Sequence, residues 1–160
     1  MIFDIDVSGE DIFSKDYTIC VANNDGIISG FKFDPKLIGD LNSKYGQGLY
    51  KYKKSKKGNA LFKVRLYTIV IFKIIESLDA QKDYSFNICR DFYGKEEDIK
   101  NNLKFFFSEQ LGISYEISFC RLGKDSQAHR YSYLMRKDSK NKMSTYIDIP
   151  ISEFEKYLKK

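Results

Sequence analysis

The chain has 160 residues, and its 27 Lys and Arg against 22 Asp and Glu give a formal charge of +5. With 42% apolar residues, a chain of this length can bury the core of one domain without disulfides or a structural metal. No apolar run reaches the roughly 20 residues of a membrane span, and residues 1–6 are acidic where a signal peptide is basic. We therefore expect a cytoplasmic protein with no membrane contact.

The number and spacing of the cysteines argue against disulfide bonds and against a structural zinc site. The three cysteines, Cys20, Cys89 and Cys120, lie inside apolar stretches and show no CxxC spacing. An odd number of cysteines without ligand spacing is typical of reduced, buried thiols rather than of disulfides or a zinc site. We expect all three to be free.

The first third of the chain predicts three strands. Apolar and polar residues alternate from residue 2 to residue 8, and Gly9 ends the run. Residues 17–23 and 26–33 predict two more strands, and Asn24-Asp25-Gly26 between them is typical of a tight hairpin turn. The chain is therefore expected to open with an antiparallel meander.

Beyond residue 60 the pattern alternates between helices and strands. The stretch 61–78 is apolar almost all round and contains neither Gly nor Pro, which predicts a buried helix. Acidic residues at 96–98 followed by a helical apolar period predict an amphipathic helix that ends at Gly112. Strands are predicted at 84–89, 115–122 and 145–149, and helices at 125–137 and from residue 152. The order βββαβαβα with a β-α tail indicates a three-layer α/β fold.

The positive charge is concentrated in one segment. Five lysines within seven residues account for the whole excess of +5: Lys51, Lys53, Lys54, Lys56 and Lys57. They stand in the stretch 42–59, which also holds three Gly and three Tyr residues and has no clear periodicity. We interpret this stretch as an exposed loop, which either keeps the protein soluble or contacts the phosphates and bases of a nucleic acid.

Two aspartates occupy distinctive positions in this order of elements. Asp6-Val7-Ser8-Gly9 places a carboxylate inside the first strand ahead of small residues, and Cys89-Arg90-Asp91-Phe92 places another at the end of the fourth. Over residues 1–138 this arrangement of three antiparallel strands, a helix and βαβ units resembles the ribonuclease H-like superfamily, in particular its microbial or archaeal members.

The resemblance implies an α/β fold of the ribonuclease H-like kind, a three-layer α/β/α domain. Its mixed sheet is expected to have strands one to three antiparallel. Residues 1–160 would form this single domain, with a core over 1–138 and a C-terminal β-α extension over 139–160.

The resemblance also implies a metal site. Such carboxylates hold divalent cations for phosphodiester hydrolysis, so Asp6 and Asp91 are candidate ligands of Mg²⁺ or Mn²⁺ and candidate catalytic residues. Asp4 shares the strand face of Asp6 and is a further candidate ligand. His129 and Asp125 stand near the start of the last large helix, where the superfamily supplies another carboxylate, and are candidate catalytic residues. The glutamate that the superfamily carries in its first helix has no counterpart in this chain.

Three hypotheses about function remain open at this point. The first is a metal-dependent nuclease in which the lysine segment holds the phosphate backbone. The second is a catalytically inactive domain of the same fold that binds nucleic acid or protein, and the third is a scaffold for a homo-oligomer. Structural roles are the alternative for single residues: a helix cap for Asp125, a turn for Asp91 and packing for His129. Asp6 favours the metal-dependent nuclease, because a carboxylate inside a buried strand is costly unless it is paired or metal-bound.

Overall fold

A five-stranded mixed sheet forms the centre of the molecule in the computed structural model, which describes residues 1–78 and 83–159. The strand order is β3-β2-β1-β4-β5; β2 pairs antiparallel with β1 and with β3, whereas β4 pairs parallel with β1 and with β5. The predicted α/β class is confirmed. The strands are β1 Ile2–Ser8, β2 Thr18–Ala22, β3 Ile28–Lys32, β4 Tyr84–Cys89 and β5 Tyr115–Cys120.

Helices cover both faces of the sheet. One face packs against α2 and α3 through a continuous aromatic and aliphatic core, and the other face packs against α4. The third helix continues as a π-helical segment, Phe105–Leu111, before Gly112 ends it in the left-handed conformation. The helices are α1 Pro35–Gly46, α2 Lys56–Ser77, α3 Glu96–Lys104, α4 Gln127–Lys137 and α5 Ile151–Glu155.

Short polar side chains cap the N-termini of three of these helices. Asp34 precedes Pro35, the first residue of α1, and its carboxylate accepts a hydrogen bond from the Leu37 amide. The Ser55 hydroxyl accepts from the Gly58 amide at α2, and Ser126 accepts from the His129 amide at α4. Each bond satisfies an amide that has no partner inside its helix. Ser126, rather than Asp125, therefore caps α4.

The expectation of an exposed loop over residues 42–59 holds only for the connection 47–55, most of which is exposed. α1 extends to Gly46 and α2 already begins at Lys56, so only a short connection separates two helices. Its aromatic residues are not displayed to solvent: Tyr45 stacks on Phe62 at a centroid distance of 4.6 Å, and Tyr50 is buried against the same ring. Aromatic packing, which local periodicity does not reveal, draws this segment onto the body of the protein.

The C-terminal strand predicted at 145–149 is also absent. Within the described residues, this segment makes a single parallel bridge, between Gly30 of β3 and Tyr146. The Tyr146 hydroxyl donates to the Asp138 carboxylate, which fixes the segment near the end of α4 instead of extending the sheet. The last helix begins at Ile151 without a side-chain cap, and Glu155 is buried, where it accepts hydrogen bonds from Lys44 and Tyr50.

The alternation of β1 separates the apolar core from the polar site. Phe3 and Ile5 are fully buried in the core that α2 and α3 cover. Asp4 and Asp6 point to the other face, because successive side chains of a strand alternate between faces. Asp6 consequently lies under α4, whereas Phe3 and Ile5 pack in the core on the opposite face of the sheet.

Close packing of α4 on the sheet depends on Gly30. A Cβ atom at this position would lie 2.6 Å from the Met135 methyl group and 2.8 Å from the Ile19 carbonyl oxygen. The Ile19 oxygen belongs to the neighbouring strand and cannot move without disturbing the sheet. The helix therefore approaches β3 at a distance that only glycine permits.

We expect Gly30→Ala to lower the free energy of unfolding by about 1–3 kcal/mol, because the added methyl group overpacks the contact between α4 and the sheet. Gly39→Ala is the matched control, since Gly39 is exposed in α1 and its added methyl group would meet no atom within 4 Å. That variant should gain about 0.5–1 kcal/mol from helix propensity. Urea denaturation of both variants measures the difference, and equal stabilities would contradict the packing argument.

Candidate metal centre

Asp6 is a buried carboxylate in the central strand of the sheet. Its side chain is only 4% exposed, and both of its oxygens accept hydrogen bonds. Oδ1 accepts from the Val7 amide at 2.8 Å, and Oδ2 lies 2.8 Å from Nδ1 of His129. Because a carboxylate only accepts, the Nδ1 proton of His129 is the donor of the second bond. Two partners thus stabilise a charge that burial alone would disfavour.

The parallel pairing of β1 with β4 brings Cys89 and Asp91 to Asp6. Ile5 is paired with Ile88, so the next residue of β1 lies beside the end of β4. One oxygen of each aspartate and the Cys89 sulfur all lie within 4.8 Å of one another. The structure therefore brings together the two aspartates that the sequence singles out, and it adds a thiol between them.

Mutual repulsion and partial burial shape the electrostatics of this cluster. Asp91 keeps an exposed surface, yet the protein around its carboxyl removes part of its hydration. This desolvation, and next the Asp6 charge, raise the pKa of Asp91 to about 7, while a hydrogen bond with Cys89 and the proximity of His129 oppose the rise. Burial likewise raises the pKa of the Cys89 thiol to about 11, so at neutral pH it is protonated. Such a cluster of acidic groups is a suitable place for a cation, which would relieve the repulsion.

Two tyrosines lie near the cluster, Tyr67 in α2 and Tyr17 just before β2. Burial raises the pKa of the Tyr67 hydroxyl well above its ordinary value, with smaller effects from Tyr17, Asp91 and Asp6. This hydroxyl is fully buried and has no hydrogen-bond partner within the part of the chain that the structure describes. Burial also raises the pKa of Tyr17, with Asp91 as the next cause. An unpaired buried hydroxyl beside two carboxylates is an unsatisfied polar group that a bound ligand or water would satisfy.

His129 approaches the cluster from α4, where Ser126 fixes the first turn. The imidazole is half exposed, with 51% of its side-chain surface accessible, while the carboxylate that it contacts is buried. The ring therefore forms one wall of the site and connects it to solvent.

The other candidate residues of the sequence lie outside this cluster. The Asp4 carboxylate accepts a hydrogen bond from the Asn87 amide at 3.1 Å, and Asp125 is exposed in the turn before α4. The five lysines of the basic segment are exposed, but none lines either of the two cavities that flank the cluster. Lys54 donates to the Gly46 carbonyl oxygen, and Lys51 lies over the Tyr52 ring.

Three further residues belong to the site although the sequence does not single them out: Cys89, Tyr17 and Tyr67. Cys89 carries a local signal, because it ends a strand two residues before Asp91, yet it was expected to be an ordinary buried thiol. The tyrosines carry none: Tyr67 lies in the middle of a helix that is apolar almost all round. Only the packing of α2 on the sheet places its hydroxyl near the carboxylates.

Two cavities meet the cluster from opposite sides. The first, of about 250 Å³, lies between the β1–β2 connection, α2 and the segment after β4, and Tyr17, Lys63, Asp91 and Lys95 line it. The second, of about 410 Å³, lies along α4, and Val7 and His129 line it on the side of the cluster. Ligands can thus reach the Asp91 carboxylate and the His129 imidazole from solvent.

The chain was compared with protein-family models, with curated proteins and with solved structures, and none of them matches it. Among the helices within residues 1–78 and 83–159, none has the length and apolar character needed to cross a bilayer. A function for this chain therefore has to be inferred from the chemistry of its own side chains.

The raised pKa of Asp91 makes stability depend on pH. In the unfolded chain this carboxyl ionises near 3.8, whereas in the folded protein it keeps its proton up to about pH 7. The folded state binds more protons over this interval, so the contribution is most favourable below pH 3.8 and is lost as the pH rises through 7. We expect Asp91→Asn to raise the melting temperature, by more at pH 8 than at pH 5.

Thermal unfolding of the metal-free protein in chelating buffer measures this difference. An NMR titration of Asp91 provides the internal control: its midpoint should fall in Asp6→Asn, because the neighbouring charge is one cause of the shift. A pH-independent gain in Asp91→Asn would show that Asp91 does not titrate as described.

Proposed function

We propose that this protein is a divalent-cation-dependent hydrolase of nucleic-acid phosphodiesters with a ribonuclease H-like fold. The single observation that carries the proposal is the convergence of Asp6 and Asp91 from adjacent parallel strands, with their oxygens within 4.8 Å. Carboxylates that converge from separate parts of the chain supply the oxygen ligands that catalytic divalent cations need.

The topology supports the assignment of the fold. An antiparallel meander precedes two strands that run parallel to β1, and the aspartates lie in the first strand and directly after the fourth. β1 and β4 are also the strands at which the direction of the chain along the sheet reverses. Ligand sites of open α/β sheets lie beyond the carboxyl ends of such strands.

The residues of the site fit a hard divalent cation. Asp6 and Asp91 supply oxygen ligands, which Mg²⁺ and Mn²⁺ prefer. Cys89 is protonated at neutral pH and contributes a hydrogen-bond donor to the carboxylates rather than a hard ligand. When bound, a divalent cation supplies Lewis acidity toward the phosphoryl group.

The other residues position the reactants. His129 holds Asp6 in one orientation through the Nδ1 bond, as hydrogen-bond partners of metal ligands commonly do. The cavity at Asp91 is also lined by Glu10, Asp11, Lys63 and Lys95. Lys63 pairs with Asp11 at 3.0 Å, and Lys95 supplies positive charge where a phosphate would approach. In the proposed reaction a water adds to phosphorus and one P–O ester bond breaks, which leaves a phosphomonoester and a hydroxyl group.

A binding module without catalysis is the second candidate, and one observation favours it. The third member of the cluster is a thiol, and the exposed Asp125 supplies no further carboxylate. Two carboxylates neutralise less charge than the larger sets that hold a pair of cations. A domain of this kind would bind nucleic acid and leave its phosphodiesters intact.

We expect Asp6→Asn to abolish cleavage of RNA, DNA or hybrid oligonucleotides in Mn²⁺ or Mg²⁺, because it removes a cation ligand. His129→Ala should retain activity but lower it about 10- to 100-fold, since it removes only the partner that orients this ligand. Glu116→Gln is the matched control, because it neutralises an exposed carboxylate of β5 and should leave the rate unchanged.

Cation binding provides a readout that does not need activity. Isothermal titration with Mn²⁺ should give a site in the wild-type protein that Asp6→Asn loses. Cation binding without cleavage of any of the three substrates would favour the binding module. The absence of both would overturn the metal centre itself.

A further inference from the structure

A second cavity runs along α4 and is distinct in character from the acidic cluster. Val7 and Ser8 at the end of β1 form one side, and the outer surface of α4 forms the other, around a volume of about 410 Å³. Apolar surface predominates in its lining. His129 stands at the end nearest Asp6, so the cavity opens directly beside the proposed reaction centre.

The outer surface of α4 displays apolar groups to solvent. Tyr133 is 54% exposed and Leu134 is 42% exposed, and both line this cavity. An exposed aromatic ring beside an exposed aliphatic side chain is an incomplete apolar surface that a flat apolar ligand would cover. Lys137 lies over the Tyr133 ring at 5.5 Å from its centroid and adds a cation at the rim.

The charge of the same cavity is positive. Lys124 and Arg130 line it, and none of its lining residues is acidic. Its chemistry thus complements a ligand that combines a flat ring with an anionic group. Nucleotides have this combination, with a base that stacks on an aromatic side chain and a phosphate that pairs with Lys or Arg.

We propose that this cavity binds an unpaired base of a single-stranded nucleic acid, which stacks on Tyr133, while Lys124 and Arg130 contact the flanking phosphates. The strand then continues past His129 toward Asp91. A base inside a duplex is already stacked and paired and cannot enter the cavity, so single strands are the substrate class. The role in cleavage rests on the proposed function, whereas binding itself does not.

The position of the cavity differs from that of the basic segment identified in the sequence. The lysines at 51–57 do not line it, and the aromatic residues near them are packed on Phe62 rather than exposed. Tyr133, in contrast, is exposed on a helix that packs against the sheet. Stacking therefore favours α4 over the basic segment as the nucleic-acid surface.

Fluorescence anisotropy in EDTA tests binding without cleavage, with oligothymidylate and oligouridylate of about 12 nucleotides as probes and a duplex of the same length for comparison. Tyr133→Ala should raise the Kd about tenfold or more, and Tyr133→Phe should restore it, because the ring rather than the hydroxyl stacks. Leu49→Ala is the control for loss of an exposed apolar side chain far from α4.

Salt dependence tests the phosphate contacts. Lys124→Gln and Arg130→Gln should each weaken binding and flatten the dependence of Kd on salt, as expected when one ion pair with a phosphate is lost. Lys140→Gln removes an exposed positive charge outside the cavity and serves as the control. The combined variant of Lys53, Lys54, Lys56 and Lys57 to Gln reports on the basic segment.

Each outcome bears on the proposal. Equal affinity for the duplex, an unchanged Kd in Tyr133→Ala, or a loss seen only in the combined lysine variant would overturn it. Binding of single strands that requires Tyr133 but gives no cleavage would support the cavity and refute the hydrolase. Cleavage by Tyr133→Ala with an unchanged KM for single strands would support the hydrolase and refute the cavity as its binding site.

Discussion

The hydrogen bond between His129 and Asp6 connects the outer helix α4 to the central strand β1, and the geometry of the site depends on it. Asp6 lies under α4 in a position where an unpaired carboxylate would be costly. Ser126 fixes the first turn of the helix, and Gly30 allows the helix to approach the sheet closely enough for the imidazole to reach Oδ2. The same bond leaves the imidazole at the wall between the acidic cluster and the cavity along α4.

The carboxylates of Asp6 and Asp91 repel each other within a well-packed fold. Asp6 lies in β1 and Asp91 lies two residues beyond the end of β4, and the parallel pairing of these two strands brings the carboxylates close together. The raised pKa of Asp91 reflects this repulsion in part, and the nearby Tyr67 hydroxyl finds no hydrogen-bond partner among the residues that the structure describes. Proteins commonly accept a loss of stability at sites that bind ligands. Here a cation and its associated water would relieve both.

Local signals in the sequence predicted much of the fold. The alternation in β1, the hairpin residues before β3 and the acidic start of α3 each predicted an element that the structure contains. Asp34, Pro35 and Ser55 are local signals for the starts of α1 and α2, yet neither start was predicted. The aromatic contacts with Phe62 that hold the connection between these helices have no local signal. The segment 145–149 forms no strand of the sheet, because Tyr146 and Asp138 tie it to α4.

The sequence by itself determined where the chemistry-bearing residues stand along the chain: Asp6 within a strand, Asp91 at the end of another, and His129 in the first turn of a helix. Such placements depend on periodicity and capping, which act over a few residues. Only the tertiary structure decided that these groups meet, that Cys89 and Tyr67 join them, and that Asp125 does not. Those outcomes depend on strand order, register and helix packing, which couple residues more than 80 positions apart, as between Ile5 and Ile88.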